Sequence, residues 1–456
     1  MQEGKATKAV PGRFRLPRLG GLAGAGTVAV AIKLSSAALN FLMFVVAAML
    51  TDVRSFGLFS TAFAAASLVS FINVVGQQSI ILRYWPQHAG AGNLPAAYAV
   101  LLRSIVTVLV GLAAGTIVFV FASVLPWADA SIPEWRQLCL CAALMAAMLG
   151  WSEFLSSVFR ARDRLFAALL PRDIVWRLAV IVALGVAWWL NGPLSAVAVT
   201  LICAGLLGLC LLGQTIGIFA DVLKAEKAKL TAVEKSEFLK VTFGLWGVNA
   251  VPPALGQINT LIVAGILGAE IAGGVFVAER TARLIDLPLN GINQVLAPHI
   301  SRNYHLSGAT SVQHSASAAA MASFLIALAV MAVFSVGGMQ LLGLFDAAYV
   351  NTTMWIVLLI FGLSSTLGAA CGPTALLLQL TGHQDVLLRI FTLASTAGIP
   401  LVAWAAWQLG PIGAAAAIAL VFALANLLPV RVAIRSLGVN PTVFGWSGGL
   451  SGWRKG

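Results

Sequence analysis

The sequence predicts an all-α integral membrane protein with about 12 transmembrane helices in two six-helix bundles, related by a pseudo-two-fold axis along the membrane normal. Three observations predict this fold: the apolar composition, the length of the apolar runs and the similarity of the two halves. Of the 456 residues, 60% are hydrophobic and only 10% are charged, and the mean hydropathy is +0.94. Because soluble domains carry about 25% charged residues, this chain must use lipid as part of its solvent.

The apolar runs are continuous, as in residues 38–50, 104–125 and 322–336, and do not alternate with polar residues. This pattern favours membrane-spanning helices over the strands of a barrel. Each run belongs to a stretch long enough to cross about 30 Å of hydrocarbon as a helix. Polar breaks place the predicted spans near 28–50, 57–80, 99–124, 138–159, 174–190, 195–218, 242–267, 275–298, 317–343, 353–379, 388–408 and 411–433.

One long polar segment, from Asp221 to Lys240, separates the sixth span from the seventh and reads as an amphipathic or solvated helical linker. The first apolar stretch runs to about Leu50 and is too long for a cleaved signal peptide, so we expect it to remain as a span. The predicted domains are a cytoplasmic basic N-terminal segment (1–27), an N-terminal six-helix bundle (28–220), a cytoplasmic linker (221–241), a C-terminal six-helix bundle (242–435) and a cytoplasmic tail (436–456).

The basic residues indicate the orientation of the chain. If the N-terminus is cytoplasmic, the exterior loops keep only Arg54 and Arg136, and nearly all other Lys and Arg residues fall inside. This positive-inside asymmetry predicts a multi-pass protein of the bacterial cell inner membrane with both termini cytoplasmic. Because the charges lie between apolar spans, the net charge of +12 indicates anionic membrane lipids as partners and excludes nucleic acid.

The two halves of the sequence resemble each other. Aligning Val46–Phe59 with Val263–Phe276 places Gly57 on Gly274 and superimposes the first helical hairpin of each half. A parallel repeat about an axis along the membrane normal produces this kind of match. Two such bundles enclose a cleft that rocking can open on either side of the membrane.

No catalytic or metal-binding motif is present. The five histidines fall in or beside predicted cytoplasmic loops, and no HExxH, P-loop or GxSxG pattern accompanies them. The five cysteines lie inside apolar segments without a CxxC pair, so we interpret them as small core residues. We therefore predict that the protein is not an enzyme and uses no cofactor and no metal.

The eighth predicted span carries four ionisable residues: Glu279, Arg280, Arg283 and Asp286. At 1.5 Å per residue, Arg283 and Asp286 lie roughly 12 to 17 Å into the membrane. A charge facing lipid at that depth costs about 2.5 to 3.5 kcal/mol, so these side chains should face the protein interior. Glu279, Arg283 and Asp286 are spaced i, i+4, i+7 and share one helix face, whereas Arg280 is about 100° away from Glu279.

Two interpretations of this stripe are open. It can be a structural set of ion pairs, or it can line a central cavity where Arg280 and Arg283 offer hydrogen-bond donors to a phosphate or an acidic sugar. The second is favoured because a purely architectural device should recur in both halves. The repeat-matched positions in the first half are instead Ala62, Phe63, Ala66 and Val69.

Four further ionisable residues lie in or near spans. Lys33 lies near the cytoplasmic end of the first span and can extend towards the headgroups. Asp173 and Arg177 form an i, i+4 pair that we interpret as structural. Glu153, in the fourth span, has no obvious local partner and is a candidate for proton or cation coupling.

Three segments carry a family resemblance: residues 266–302, the first-half counterpart 50–86, and Gly372–Gln384. They resemble the polysaccharide transporter branch of the superfamily that also contains the multidrug and toxic-compound exporters. The resemblance implies two six-helix bundles around a central cavity, and the flipping of a polyprenyl-pyrophosphate-linked oligosaccharide for O-antigen, capsule or exopolysaccharide assembly. It also implies basic cavity residues that hold the anionic head, at positions matching Arg280, Arg283 and Lys33.

The implied partners are a lipid-linked oligosaccharide, membrane lipids and polysaccharide polymerase or assembly proteins. A cation-coupled multidrug exporter of the same fold is the alternative, although it would favour acidic residues deep in the first span of each half. The first span has only Asp52 at its outer end, and the seventh has none. A membrane glycan polymerase or ligase would need a large exterior loop, and the longest here, around 126–136, is short.

Overall fold

The computed structural model describes residues 19–125, 134–225, 232–293, 296, 300 and 312–446. Within these residues the chain is almost entirely helical, and the only β-type pairing is an isolated bridge between Thr51 and Leu194. The predicted all-α fold class is thereby confirmed. The predicted N-terminal segment up to residue 18, the centre of the linker (226–231) and the tail from 447 lie outside the described residues.

The helices of the first half overlap the predicted spans, and most of them begin or end several residues beyond the predicted bounds. They are α1 (Leu19–Met49), α2 (Val53–Asn73), α3 (Gln77–Gly90), α4 (Leu94–Ser123), α5 (Trp135–Ala161), α6 (Leu165–Leu170), α7 (Trp176–Asn191) and α8 (Ala196–Lys224). A π-helical turn, Pro171–Val175, joins α6 to α7, so that one continuous helix replaces the shorter span predicted from residue 174.

The second half repeats this arrangement. Its helices are α9 (Ala232–Leu267), α10 (Ala269–Ala282), α11 (Gln313–Gly343), α12 (Thr352–Cys371), α13 (Thr374–Leu380) and α14 (Gln384–Val432). A 3-10 turn, Arg283–Ile285, follows α10, and the helix resumes over 286–293. The α14 segment is two helices divided at Gly410, whose φ of 64° lies in the left-handed region.

Nine helices of the described chain are long and apolar enough to cross a membrane. The architecture is compatible with twelve spans. The α14 segment divides into two at Gly410, and α9 and the run that starts with α10 add one each. The amphipathic α3 is not a separate span but continues α2 beyond Gly76, where φ is +70°. A glycine suits this break because residues with a Cβ rarely adopt a positive φ.

The end of the molecule at which α1 passes to α2, here called the α1–α2 end, is tightly connected. The Asp52 carboxylate accepts hydrogen bonds from the backbone N–H and the hydroxyl of Ser55 and caps α2. Partial burial would raise the pKa of Asp52, but the hydrogen bonds from Ser55 and the backbone outweigh it and hold the pKa below its ordinary value. The backbone N–H of Leu194 also donates to the Leu50 carbonyl at 2.9 Å.

The two halves meet where α2 packs against α10, near the α1–α2 end. A Cβ placed on Gly57 would lie 2.0 Å from the Ala269 carbonyl oxygen, and one on Gly273 would lie 3.0 Å from the Gly57 Cα. The backbones of the two helices are therefore in direct contact, which only small residues permit. Gly57 and Gly274 are the repeat-matched glycines, so corresponding hairpins of the two halves face each other, as a pseudo-two-fold arrangement requires.

An aromatic cluster lies near the α1–α2 end. The Phe44 ring of α1 makes edge-to-face contacts with Phe63 of α2 and Phe276 of α10, at centroid distances of 5.1 and 5.0 Å. Phe56 joins the cluster and contacts Phe276 and Tyr349. Such pairs contribute about 0.5 to 1.5 kcal/mol each beyond the burial of their surfaces. Both halves supply rings to the cluster, so it links them near this end.

The backbone contact predicts a position-specific effect of alanine at Gly57. Gly57→Ala forces the Cβ against Ala269 and should lower the free energy of unfolding by about 1 to 3 kcal/mol, the usual range for overpacking. Gly185→Ala in α7 is the matched control, because no atom lies within 4 Å of the new Cβ. Thermal unfolding of the purified protein, followed by size-exclusion chromatography, measures both. Equal melting temperatures for the two variants would contradict the close contact.

Candidate functional site

A polar cavity lies below the aromatic cluster, on the side away from the α1–α2 end, where residues of both halves meet. Its volume is about 190 Å³. Phe63 belongs to both the cluster and the cavity wall, so the cluster borders the cavity. The cavity is lined by Asn40, Phe63, Ser67, Ser70, Phe71, Val74, Gln78, Leu149, Glu153, Arg172, Trp176, Arg177, Gln257 and Arg280.

The charged groups of the cavity wall are predominantly basic. Arg172, Arg177 and Arg280 contribute guanidinium groups, whereas Glu153 contributes the carboxylate of this lining set. In a medium of low dielectric constant, charges interact strongly and must be paired or must await a ligand of opposite sign. The arrangement therefore suits an anion.

Arg280 is the cavity arginine supplied by the second half. Its guanidinium lies 4.7 Å from the centre of the Phe276 ring and 5.6 Å from that of Phe44. Its Nε is enclosed by protein and has no hydrogen-bond partner among the described residues, and no carboxylate of those residues forms an ion pair with it. Two aromatic faces thus support a cation whose hydrogen-bond donors are not all used.

Glu153 does find a partner, although the sequence offered none nearby. Its Oε2 accepts a short hydrogen bond from Nη1 of Arg172, and Nη2 of Arg160 lies 3.9 Å from its Oε1. Arg172 was expected in a cytoplasmic loop, and the π-helical turn instead directs it into the cavity. π-Helical turns are frequent at functional sites, since the extra residue changes which side chains face inwards.

A second charged network fixes the wall beside the cavity. The Lys33 ammonium donates to Asp173 Oδ2 at 2.6 Å, and Arg177 Nη1 lies 3.4 Å from Asp173 Oδ1. Arg177 also donates to the Ser36 hydroxyl and to the Asp173 carbonyl, each at 2.6 Å. Only 4% of the Asp173 side chain is exposed, so this carboxylate is a buried structural anchor between α1 and α7. Lys33 lies in this anchor and not in the cavity wall.

The remaining span-eight residues point elsewhere. Glu279 accepts two hydrogen bonds from Arg283, one of them from Nε at 3.1 Å, and the Asp286 carboxylate interacts with Ser365 of α12. Neither Glu279, Arg283 nor Asp286 lines the cavity that contains Arg280. Arg283 begins the 3-10 turn that follows Ala282, and 48% of its side chain is exposed, whereas Arg280 lines the cavity between the halves.

The cavity residues that were not anticipated from the sequence include Arg172, Gln78 and Gln257. Arg172 directly follows Pro171, and a proline beside two charges at the start of an apolar span was the available signal. Nothing local marks Gln78 or Gln257, because uncharged amides are common in loops and helices alike. Their role depends on how distant helices pack.

The family of the chain follows from its sequence profile. The profile described as "Polysaccharide biosynthesis protein" matches residues 23–304, more than half of the chain. The chain belongs to the polysaccharide biosynthesis protein family. No curated protein matches this family member.

Solved structures share the fold of this polysaccharide biosynthesis protein at low sequence identity. A multidrug resistance MATE family transporter of the MOP superfamily, in an inward-facing conformation, is 16% identical, covers 90% of this chain and 95% of its own, and has a TM-score of 0.67. A MOP superfamily transporter from Pyrococcus furiosus, described as having a binding pocket of reverse polarity, is 16% identical with a TM-score of 0.59; the match covers 91% of this chain and 96% of that chain. These matches support the multi-pass membrane fold.

The buried anchor predicts a large loss of stability on neutralisation of Asp173. Asp173→Asn leaves Lys33 and Arg177 without their shared carboxylate, and removing one partner of a buried ion pair costs about 3 to 5 kcal/mol. Asp385→Asn, an exposed position at the start of α14, is the control and should change stability by less than about 0.5 kcal/mol. Heat-induced loss of the monodisperse peak in detergent gives the ranking. An Asp173→Asn protein as heat-resistant as the control would show that the network does not hold the fold.

Proposed function

We propose that the protein flips a polyprenyl-pyrophosphate-linked oligosaccharide across the bacterial inner membrane for O-antigen, capsule or exopolysaccharide assembly. The observation that carries this proposal is the incompletely partnered Arg280 guanidinium in a basic cavity at the junction of the two halves. Family membership adds that the transported material belongs to polysaccharide biosynthesis.

The chemistry of the cavity fits a pyrophosphate. A guanidinium presents a planar fork of N–H donors that matches two phosphate oxygens. The Arg280 guanidinium lines the cavity and makes no hydrogen bond to the described residues, so the N–H donors that it presents to the cavity are unused. The adjoining rings of Phe44 and Phe276 exclude water, which strengthens the attraction between the arginine and an anion.

Uncharged polar groups of the cavity suit sugars. The amides of Asn40, Gln78 and Gln257, with the hydroxyls of Ser67 and Ser70, provide both donors and acceptors. Sugar hydroxyl groups need such partners once they leave water. The resting cavity, at about 190 Å³, is small for an oligosaccharide. We therefore infer that the bundles separate as the substrate enters, while its lipid tail stays in the membrane.

The contacts between the halves at the α1–α2 end support a proposal of alternating access. By the positive-inside rule we propose that this end faces the periplasm and that both termini are cytoplasmic. Opening it requires the α2–α10 backbone contact and the aromatic cluster to separate, so that the pyrophosphate and sugars reach the outside. Among the remaining predicted residues, we assign Lys33 to the structural anchor. The Glu279–Arg283 pair and Asp286 belong to the second half outside the cavity, and 48% of the Arg283 side chain is exposed.

The alternative, a cation-coupled multidrug exporter, has less support in the cavity. A cation needs an available carboxylate, and Glu153 is already paired with Arg172. We propose a polysaccharide polymerase or other assembly protein as the partner that uses the flipped product. Drug susceptibility of an exporter-deficient host separates the two functions, because a flippase should confer no resistance.

The proposed function predicts that Arg280 is indispensable. Arg280→Gln should reduce translocation of a fluorescent prenyl-pyrophosphate-linked oligosaccharide in proteoliposomes at least about tenfold, because hydrogen bonds to charged groups contribute about 1.5 to 3 kcal/mol. Arg283→Gln should have a smaller effect, since Arg283 is paired with Glu279 outside the cavity.

Arg389→Gln is the charge-matched control, because Arg389 is exposed near the start of α14. It should translocate the oligosaccharide at the wild-type rate. Normal translocation by Arg280→Gln, with wild-type amounts of folded protein, would remove Arg280 from the substrate site.

A further inference from the structure

Glu153, the carboxylate of the cavity, is held less firmly than Asp173, the carboxylate of the anchor. Asp173 has 4% of its side chain exposed and receives both Lys33 and Arg177. Glu153 has 28% exposed, faces the cavity, and is held closely by one guanidinium, that of Arg172. Arg160, its second basic neighbour, stays 3.9 Å away. Glu153 is therefore the more easily displaced of the two.

Glu153 occupies the donors that an anionic ligand would use. Carboxylate and phosphate oxygens bind a guanidinium fork in the same manner, so they compete for the same N–H groups. Arg172 and Arg280 line the same cavity, one from each half of the protein. A single phosphate can be satisfied at Arg280, whereas a pyrophosphate carries a second anionic group that requires another cation.

We propose that Glu153 is an internal counter-anion that holds Arg172 in the empty cavity and is displaced from it when the pyrophosphate of a lipid-linked substrate binds between Arg172 and Arg280. This inference rests on the proposed function and adds a residue that sets specificity. Glu153 makes Arg172 available only to a ligand that is anionic enough to replace a carboxylate. It also gives Arg172 a partner again when the substrate leaves, which favours release.

The physical basis is the cost of unpaired charge. Without Glu153, Arg172 and Arg280 would face the empty cavity with no carboxylate in its wall, while Arg177 would stay paired with Asp173. Like charges close together in a medium of low dielectric constant repel one another strongly. An anionic ligand would relieve that repulsion and should therefore bind more tightly when the carboxylate is removed.

The experiment measures equilibrium binding of radiolabelled farnesyl pyrophosphate to the full-length protein in phosphatidylcholine nanodiscs. Glu153→Gln keeps the shape of the side chain and should raise the affinity about tenfold, the factor expected for one charge-assisted contact. Unlabelled inorganic pyrophosphate should compete in both proteins. Failure of inorganic pyrophosphate to compete would show that the prenyl chain alone is recognised and would overturn the proposal.

Asp221→Asn is the matched control. Asp221 forms a 2.6 Å ion pair with Arg162 in the same half of the protein, but neither residue lines the cavity. The substitution changes the net charge by the same amount as Glu153→Gln and should leave the affinity unchanged. An equal gain in the control would mean that overall charge, and not displacement from Arg172, determines binding.

A double variant tests the route through Arg172. The gain from Glu153→Gln should largely disappear when Arg172→Gln is also present. A gain of the same size without Arg172 would show that Glu153 repels the ligand at a distance and would overturn the proposal. If Glu153→Gln does not fold, Glu153→Ala carries the same expectation.

The outcomes separate this proposal from the proposed function. Binding by the wild type with no gain in Glu153→Gln would overturn only the role of Glu153. Absence of binding in both proteins would overturn the pyrophosphate site itself and this proposal with it.

Discussion

Charge pairing in a water-poor interior is the constraint on which the architecture of this protein depends. A chain with 10% charged residues cannot leave many of them in hydrocarbon, and each one placed there needs a partner. The structure meets this demand with cross-helix pairs, such as Lys33 with Asp173 and Glu153 with Arg172. These pairs fix α1, α5 and the π-helical turn relative to one another and thereby shape the cavity wall.

The two halves carry different residues at matched positions of the cavity wall. The repeat aligns Phe63 with Arg280, and both residues contact the Phe44 ring and line the cavity. One half supplies an aromatic surface at this position, and the other half supplies a cation. The repeat produces the two bundles. The difference at matched positions makes the cavity wall aromatic on one side and basic on the other, which suits one class of substrate.

The sequence located most helices of the described residues, because continuous apolar runs between polar breaks are a strong signal. It also identified Arg280 and its charged neighbours from their depth in the membrane. It could not decide which of them share a cavity. That division coincides with the 3-10 turn after Ala282, which interrupts the α-helix between Arg280 and Asp286. The pairing of Glu153 was likewise hidden, since its partner Arg172 enters through a π-helical turn that no composition rule reveals.

The Phe44 ring links recognition to closure. It packs edge-to-face between the halves and also lies beneath the Arg280 guanidinium. An anion that draws this guanidinium towards itself weakens the cation–π contact with Phe44. The same ring contacts both α2 and α10. Substrate binding and separation of the helices at the α1–α2 end would then depend on one aromatic side chain. Such a coupling would disfavour opening of this end in the absence of substrate.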